Sequence, residues 1–282
     1  MTFEQLLKKA SSRALKASKE KEAVKLLLMH VSSFEAHDFY MHLKDDVSKE
    51  MEVRFLSLLE AYINDDIPVQ HLIGFAYFYG YPFFVNKDVL IPRSETEQLV
   101  EHVLYYYDHY FKGQHLNVLD LGTGSGCIGI TLDLEEPLLN VMCTDISQEA
   151  LFVAQKNSEA LQSHATIKQS DLFQDITDVF DIIVSNPPYI PKDEHLDPMV
   201  LNEPHVALYG GDFGIDFYQK IITEAKAYLK PTALLAFEHG YQQSKHILDI
   251  AQQVFPDAIV IQKKDLQGKD RFTFIGIGGV LS

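Results

Sequence analysis

The sequence predicts an α/β fold built on a mainly parallel sheet, preceded by a small helical bundle and a linking β-hairpin. Three observations lead there. From Asn117 onward, short apolar runs alternate with segments of helical periodicity, the pattern of strands joined by crossover helices. The last two runs, AIVIQ and RFTFIGI, have no helical segment between them and are expected to form an antiparallel edge pair. Before residue 64 the apolar residues recur instead at helical spacing, as in Phe3, Leu6, Leu7, Ala10 and Val53, Leu56, Leu59, Ile63.

Taken in order, the stretch 3–63 is expected to form the bundle, with Pro68 closing its last helix. FAYFYGYPFFV, residues 75–85, is aromatic and β-prone around Gly80 and Pro82, which suggests a hairpin. Its aromatic stripe would suit base stacking, but aromatics at alternate strand positions more commonly pack. Next come NVLDL, a helix near 128–134, NVMCTD, a helix over 148–161, ATIKQ, FDIIVS, a helix near 215–229, ALLAFEHG, a helix over 242–254, and the final pair. That makes seven strands.

At 282 residues, with roughly 150 residues per domain as a prior, about two domains are expected. A hydrophobic content of 46% against 23% charged residues describes a chain that can bury a substantial core. No apolar run approaches the ~18 residues of a membrane span, and the amphipathic start lacks an export signal, so a cytoplasmic location is expected. Cys127 and Cys143 are too few for a disulfide framework and lack zinc-site spacing, so both are expected to be buried small hydrophobes. Residues 1–74 carry 10 of the 24 basic and 12 of the 40 acidic side chains, which leaves 14 and 28 for residues 75–282. Such a surface repels phosphate backbones at long range and argues against a nucleic-acid substrate.

The chemistry concentrates at strand ends. NVLDL runs into DLGTGSG, where Gly122, Gly124 and Gly126 permit a tight turn and close approach of a ligand to the backbone. Alone, that turn would suit a dinucleotide equally well. Asp145 ends the second strand, where an acid hydrogen-bonds ribose hydroxyls, although it could instead cap the next helix. Asp171 and Leu172 are placed at the end of the third strand, to flank an adenine with one polar contact and one apolar wall, although Asp171 could instead be an exposed turn aspartate. After the fourth strand, VSNPPYI supplies Asn186, Pro187, Pro188 and Tyr189, a loop stiffened by two prolines. The Asn186 side-chain oxygen and the Pro187 carbonyl could each accept an N–H of a planar amide or amine, lining its nitrogen up for methyl transfer, with Tyr189 on its flat face. Orientation is the main requirement, and no metal is needed. Seven strands with a terminal antiparallel pair, ending in these loops, read as a seven-stranded Rossmann-like methyltransferase sheet rather than a dinucleotide-binding domain.

With these residues in place, the chain resembles the protein glutamine methyltransferases that modify the Gly-Gly-Gln motif of peptide chain release factors. IPVQHLIGFAYFYGYPFFVNKDVLIPRSETEQLVE is similar to that family's hairpin and lead-in to its catalytic domain, NEPHVALYGGDFGIDFYQKII to its insert after NPPY, and KKDLQGKDRFTF to its terminal hairpin. The resemblance implies a helical substrate-docking domain over 1–73, a hairpin linker over 74–90 and a catalytic domain over 91–282. It implies S-adenosyl-L-methionine as methyl donor, with S-adenosyl-L-homocysteine as product, and class 1 release factors as protein substrate, with no nucleic acid, membrane or metal. Gly122, Thr123, Gly124, Ser125 and Gly126 would line the cofactor, Asp145 would hold its ribose, Asp171 and Leu172 would border its adenine, and Asn186 to Tyr189 would grip the glutamine amide. Three positions depart from the family pattern: Ser94 stands where a proline is usual, Leu172 where some relatives have an aromatic residue, and His239 where an apolar residue is common. His239 is expected to be a surface or strand-end histidine away from NPPY.

Two other functions fit parts of the pattern. A methyltransferase acting on the exocyclic amine of adenine in DNA also uses an Asn-Pro-Pro-Tyr loop, but base flipping calls for a basic groove. A non-catalytic scaffold would be expected to lose the glycine turn or the acceptor loop, and this chain keeps both.

Overall fold

The computed structural model describes residues 1–282, which fall into two compact units: Met1–Phe75 with Leu196–Asn202, and Ala76–His195 with Glu203–Ser282.

The first unit is helical: α1 (Phe3–Lys16), α2 (Lys21–Ser32), α3 (Ala36–Met41), α4 (Lys49–Asn64) and the short α5 (Val69–Ile73). Thr2 and Gln5 form a reciprocal capping box at the start of α1, and the Ser48 hydroxyl caps α4. Leu6, Leu27, Leu28, Phe39, Phe55 and Leu59 fill the unit's own core. Pro68 does not close α4. That helix ends at Asn64, and Pro68 precedes α5 at the N-cap, where its missing N–H costs nothing. Asn202, on the segment 196–202, donates from Nδ2 to the carbonyls of Asp65 (3.3 Å) and Asp66 (3.1 Å).

A hairpin of β1 (Phe75–Phe78) and β2 (Tyr81–Phe84) leads into the second unit, which takes it from Ala76 onward, and its Phe78 and Phe83 rings meet edge to face at 6.0 Å inside that unit's core. Packing, not stacking on a ligand, occupies those rings. Then follow α6 (Ser94–Tyr110), β3 (Leu116–Leu121), α7 (Cys127–Glu135), β4 (Leu139–Asp145), α8 (Gln148–Leu161), β5 (Thr166–Gln169), β6 (Phe180–Ser185), α9 (Asp216–Ala225), β7 (Leu229–Glu238), α10 (Ser244–Val254), β8 (Ile259–Lys264) and β9 (Asp270–Ile277).

The seven strands lie in the order β5-β4-β3-β6-β7-β9-β8, and only β9 runs antiparallel to both its neighbours. The final two strands pair as expected, but the last one sits inside, between β7 and β8. Its sequence explains the placement: Phe272, Thr273, Phe274 and Ile275 are all buried, so β9 needs cover on both faces, while β8 is only half-buried and tolerates the edge.

Alternation along the strands divides the core in two. Val118, Val184, Leu234 and Phe274 face α6 and α7, while Leu119, Ile183, Leu235 and Ile275 face α9 and α10. Cys127 and Cys143 are both buried on the first of these faces. No helix is long and apolar enough to cross a membrane.

Candidate active site

The chain reverses its direction of travel across the sheet between β3 and β6, and open α/β sheets bind ligands at the carboxyl ends of strands beside such a switch. A cleft enclosing roughly 1140 Å³, its open mouth included, lies there.

Its floor is the turn after β3. Gly122 and Gly124 adopt φ of +73° and +56°, and a Cβ added to either would meet no atom within 4 Å. These two glycines therefore leave a bare backbone cradle, open on the side a ligand would fill. Below it, Asp120 is fully buried: its Oδ2 accepts the Thr123 hydroxyl at 2.6 Å and the Gly129 N–H at 2.9 Å. Burial pushes the Asp120 carboxyl up to about 6, against the pull of those two donors.

Asp145 joins the second strand to the cradle. Its Oδ2 accepts the Gly124 N–H and its Oδ1 the Ser147 N–H, each at 2.9 Å. Each oxygen keeps acceptor capacity for a hydroxyl. The cap of α8 is Ser147, whose hydroxyl accepts the Ala150 N–H, so capping does not account for Asp145. Burial raises the Asp145 carboxyl above its ordinary range, opposed by the backbone donors.

Asp171 and Leu172 lie beyond β5, not at its end, because the strand stops at Gln169. Leu172 takes a left-handed φ of +50°, with its carbonyl held by the Ser170 hydroxyl at 2.7 Å, and both residues line the cleft. On the opposite lip, Asn186, Pro187 and Pro188 follow β6. The Asn186 Nδ2 donates to Thr96 Oγ1 at 3.3 Å.

The sequence-predicted residues thus converge, with two exceptions. Gly126 is the N-cap of α7, and a Cβ there would run into Ile130. Tyr189 does not line the cleft either. Its ring packs beside Gly240 and the α9–α10 face of the core, and burial pushes its hydroxyl up to about 12.

The loop Asn186–Tyr189 is braced from behind by the insert that follows it. Ile190 N–H donates to the Leu208 carbonyl (3.0 Å) and the Gly210 N–H to the Ile190 carbonyl (2.9 Å), while Gln243 Nε2 reaches the Tyr189 carbonyl (3.2 Å). Gly210 passes so close to the Pro188 carbonyl that any Cβ would collide with it. Glu203, 4% exposed, pairs with Arg93 at 2.5 Å and accepts the Ile91 N–H at 2.9 Å, joining segments 110 positions apart.

Arg93, Thr96, Glu203, Glu238 and Gln243 were not singled out as site residues from sequence, and the available signal was weak: Arg93 and Glu203 sit in the stretches IPRSET and NEPHVAL, whose partnership depends on the fold. His239 does end a strand, but it is buried and not on the surface. Its Nδ1 lies 2.9 Å from the Gly240 carbonyl and its Nε2 2.9 Å from Thr273 Oγ1, which makes it a satisfied core residue.

The family described as "Methyltransferase small domain" matches residues 99–265, and "PrmC N-terminal domain" matches residues 5–74. A solved methyltransferase from Pyrococcus furiosus shares the fold, with a TM-score of 0.54 at 19% identity over 72% of this chain and 91% of that one. A release factor glutamine methyltransferase from Bacillus cereus is 39% identical over 280 residues, 97% of this chain and 99% of that protein. The one from Bacillus subtilis is 38% identical over 277 residues, 96% of each. With identity sustained over nearly the whole length of both partners, on a sheet whose switch-point cleft carries the glycine turn and the Asn-Pro-Pro loop, this chain belongs to the release factor glutamine methyltransferase family.

Proposed function

We propose that the chain methylates the side-chain amide nitrogen of the glutamine in the Gly-Gly-Gln motif of class 1 peptide chain release factors, using S-adenosyl-L-methionine. The observation that carries this reading is the juxtaposition, in one cleft, of the bare backbone cradle at Gly122 and Gly124 with the Asn186-Pro187-Pro188 lip.

The cradle and the acid fit such a cofactor. Gly122 to Ser125 would hold the amino-acid portion, Asp145 the ribose hydroxyls, and Asp171 with Leu172 the adenine edge and face. When bound, the cofactor's sulfonium supplies an activated methyl group.

The protein's own contribution is orientation. An amide nitrogen is a poor nucleophile because its lone pair is delocalised. If Asn186 Oδ1 and the Pro187 carbonyl each accept one of its hydrogens, the nitrogen is aimed and the positive charge that develops on it is stabilised. Such alignment contributes up to ~7–11 kcal/mol in favourable cases. Pro187 and Pro188 keep the two acceptors in place before substrate arrives, and Gly210 and Gln243 hold the loop from behind. Tyr189, buried behind that lip, supports the loop in this conformation, and its placement over the acceptor amide would require the ring to turn outward.

The helical unit gives a surface for docking on the folded release factor while the extended Gly-Gly-Gln loop enters the cleft. A chain lacking residues 1–70 that folds and retains full activity on the intact factor would remove that role. An acidic catalytic unit, with 28 acidic against 14 basic side chains over residues 75–282, favours a protein substrate over a nucleic acid and suits a cytoplasmic enzyme of translation.

The test is mass spectrometry of a purified release factor incubated with the protein and methyl-labelled cofactor. One methyl on the Gly-Gly-Gln glutamine, lost with Asn186→Ala, is expected. An unmodified factor beside methylated DNA or RNA would transfer the assignment to nucleic acid.

A further inference from the structure

Glu238 ends β7, and the parallel register pairing Ser185 with Phe237 places it level with Asn186 on the neighbouring strand end. It is 2% exposed, and its Oε2 has no hydrogen-bond partner. Thr96, in the first turn of α6, and Asn186 are the polar side chains that act on its carboxylate, and they are joined to each other by the Asn186 Nδ2 to Thr96 Oγ1 hydrogen bond at 3.3 Å. A buried acid with an unpartnered oxygen is costly, and packing gives no return for it. The one cation acting on it, Arg271, is itself bonded to Asp265 and to the His239 carbonyl. A side chain kept at such cost beside the acceptor loop needs a reason.

The network supplies one. An ionised carboxylate only accepts hydrogen bonds, so Asn186 must turn its NH₂ toward Glu238, and Thr96 must donate its hydroxyl proton in the same direction. The Thr96 oxygen is then free to accept from Asn186 Nδ2, which lies 3.3 Å away. Both contacts select the same orientation of the Asn186 amide, with Nδ2 toward the protein and Oδ1 left for the cleft. The reverse orientation would set an NH₂ against the NH₂ of a glutamine amide.

We infer that Glu238 is a positioning residue of the acceptor site, locking the Asn186 amide through Thr96 so that Oδ1, and not Nδ2, meets the acceptor nitrogen. This rests on the reading of the protein as a glutamine methyltransferase. Burial raises the Glu238 carboxyl to about 7 even against the pull of Thr96, Arg271 and Asn186, so the ionised form the network needs prevails above that pH.

The experiment compares full-length wild type with Glu238→Met, which fills the volume without accepting a hydrogen bond, and Glu238→Gln, whose amide oxygen still accepts one. Each is assayed for kcat on a purified release factor, for affinity toward S-adenosyl-L-homocysteine by calorimetry, and for melting temperature. Glu238→Met is expected to fold with unchanged or higher stability and to bind the cofactor product within about twofold, since replacing a buried charge by an apolar group of similar shape is often neutral or stabilising. Its kcat is expected to fall by about tenfold or more, by the scale of a lost oriented acceptor, with partial recovery in Glu238→Gln. In a Thr96→Val background, Glu238→Met should add no further loss, because the link through which it orients Asn186 is gone. Wild-type kcat in Glu238→Met, or an equal loss with and without Thr96, would overturn the inference. If Glu238→Met does not fold, Glu238→Gln in the same two backgrounds carries the comparison, and additive losses there would overturn it too. A wild-type chain that leaves the factor unmethylated would instead sink the proposed function, and this inference with it.

Discussion

Asp145 Oδ2 accepts the backbone N–H of Gly124 at 2.9 Å, so the acid at the end of β4 holds the glycine turn at the end of β3. Asp145 therefore shapes the cradle, and under the proposed function it also offers acceptors to the cofactor. Asp145→Ala removes both. A hydrogen bond to a charged group is worth about 1.5–3 kcal/mol, so cofactor affinity is expected to fall by at least tenfold, measured by calorimetry. Asp145→Asn, which keeps one acceptor, is expected to lie between.

The Arg93–Glu203 pair fastens the insert that contributes Pro204, Val206 and Ala207 to the cleft wall. Arg93→Ala leaves the Glu203 carboxylate buried with only the Ile91 N–H. Breaking a fully buried pair costs ~3–5 kcal/mol. Arg93 keeps a side-chain exposure of 39%, so a loss on the order of 2 kcal/mol is expected in urea unfolding. Faster amide exchange over residues 203–208 should accompany it.

Gly129 of α7 faces β4 so closely that a Cβ would collide with Cys143 Sγ and crowd Asp120. Gly129→Ala is expected to destabilise the protein by about 1–3 kcal/mol, the cost of overpacking a filled core. Adding Cys143→Ala should recover part of that loss in thermal unfolding, whereas Cys143→Ala alone should destabilise by opening a void. A double variant no more stable than Gly129→Ala would place the strain at Asp120 instead.

Asp120 gives a pH dependence whose sign follows from its burial. Its carboxyl titrates near 6 in the folded chain, against an ordinary value of 3.8. Between those values the folded state holds a proton that the unfolded state has released, so stability falls as pH rises through that window. Asp120→Asn keeps an acceptor for Thr123 and Gly129 without the charge. Relative to wild type it should gain on the order of 2 kcal/mol between pH 4 and pH 7, read from urea midpoints, and equal slopes in the two proteins would refute the assignment.

Local chemistry made most of the architecture legible. Short apolar runs marked the strands of the sheet, most clearly the inner ones such as β3, β6 and β9, because strands buried on both faces read as continuous hydrophobic stretches. The cleft residues at 122–125, 145, 171–172 and 186–188 were visible because a glycine turn, an acid at a strand end and a proline pair each need a particular residue type at a particular place. Pro68 was misread because proline breaks a helix interior but suits a helix start, and one sequence position does not say which neighbour it serves.

What the sequence by itself determined, then, is the class of fold, the membership of each strand and most of the residue types that line the cleft, since these depend on periodicity and backbone geometry within a few positions. Tertiary structure alone decided which distant residues become partners. Only the fold inserts β9 between β7 and β8, pairs Arg93 with Glu203, turns Tyr189 inward, and brings Glu238 beside Thr96 and Asn186. Those contacts arise from strand order and burial, so no spacing along the chain encodes them, and a buried carboxylate reads in sequence like any exposed one.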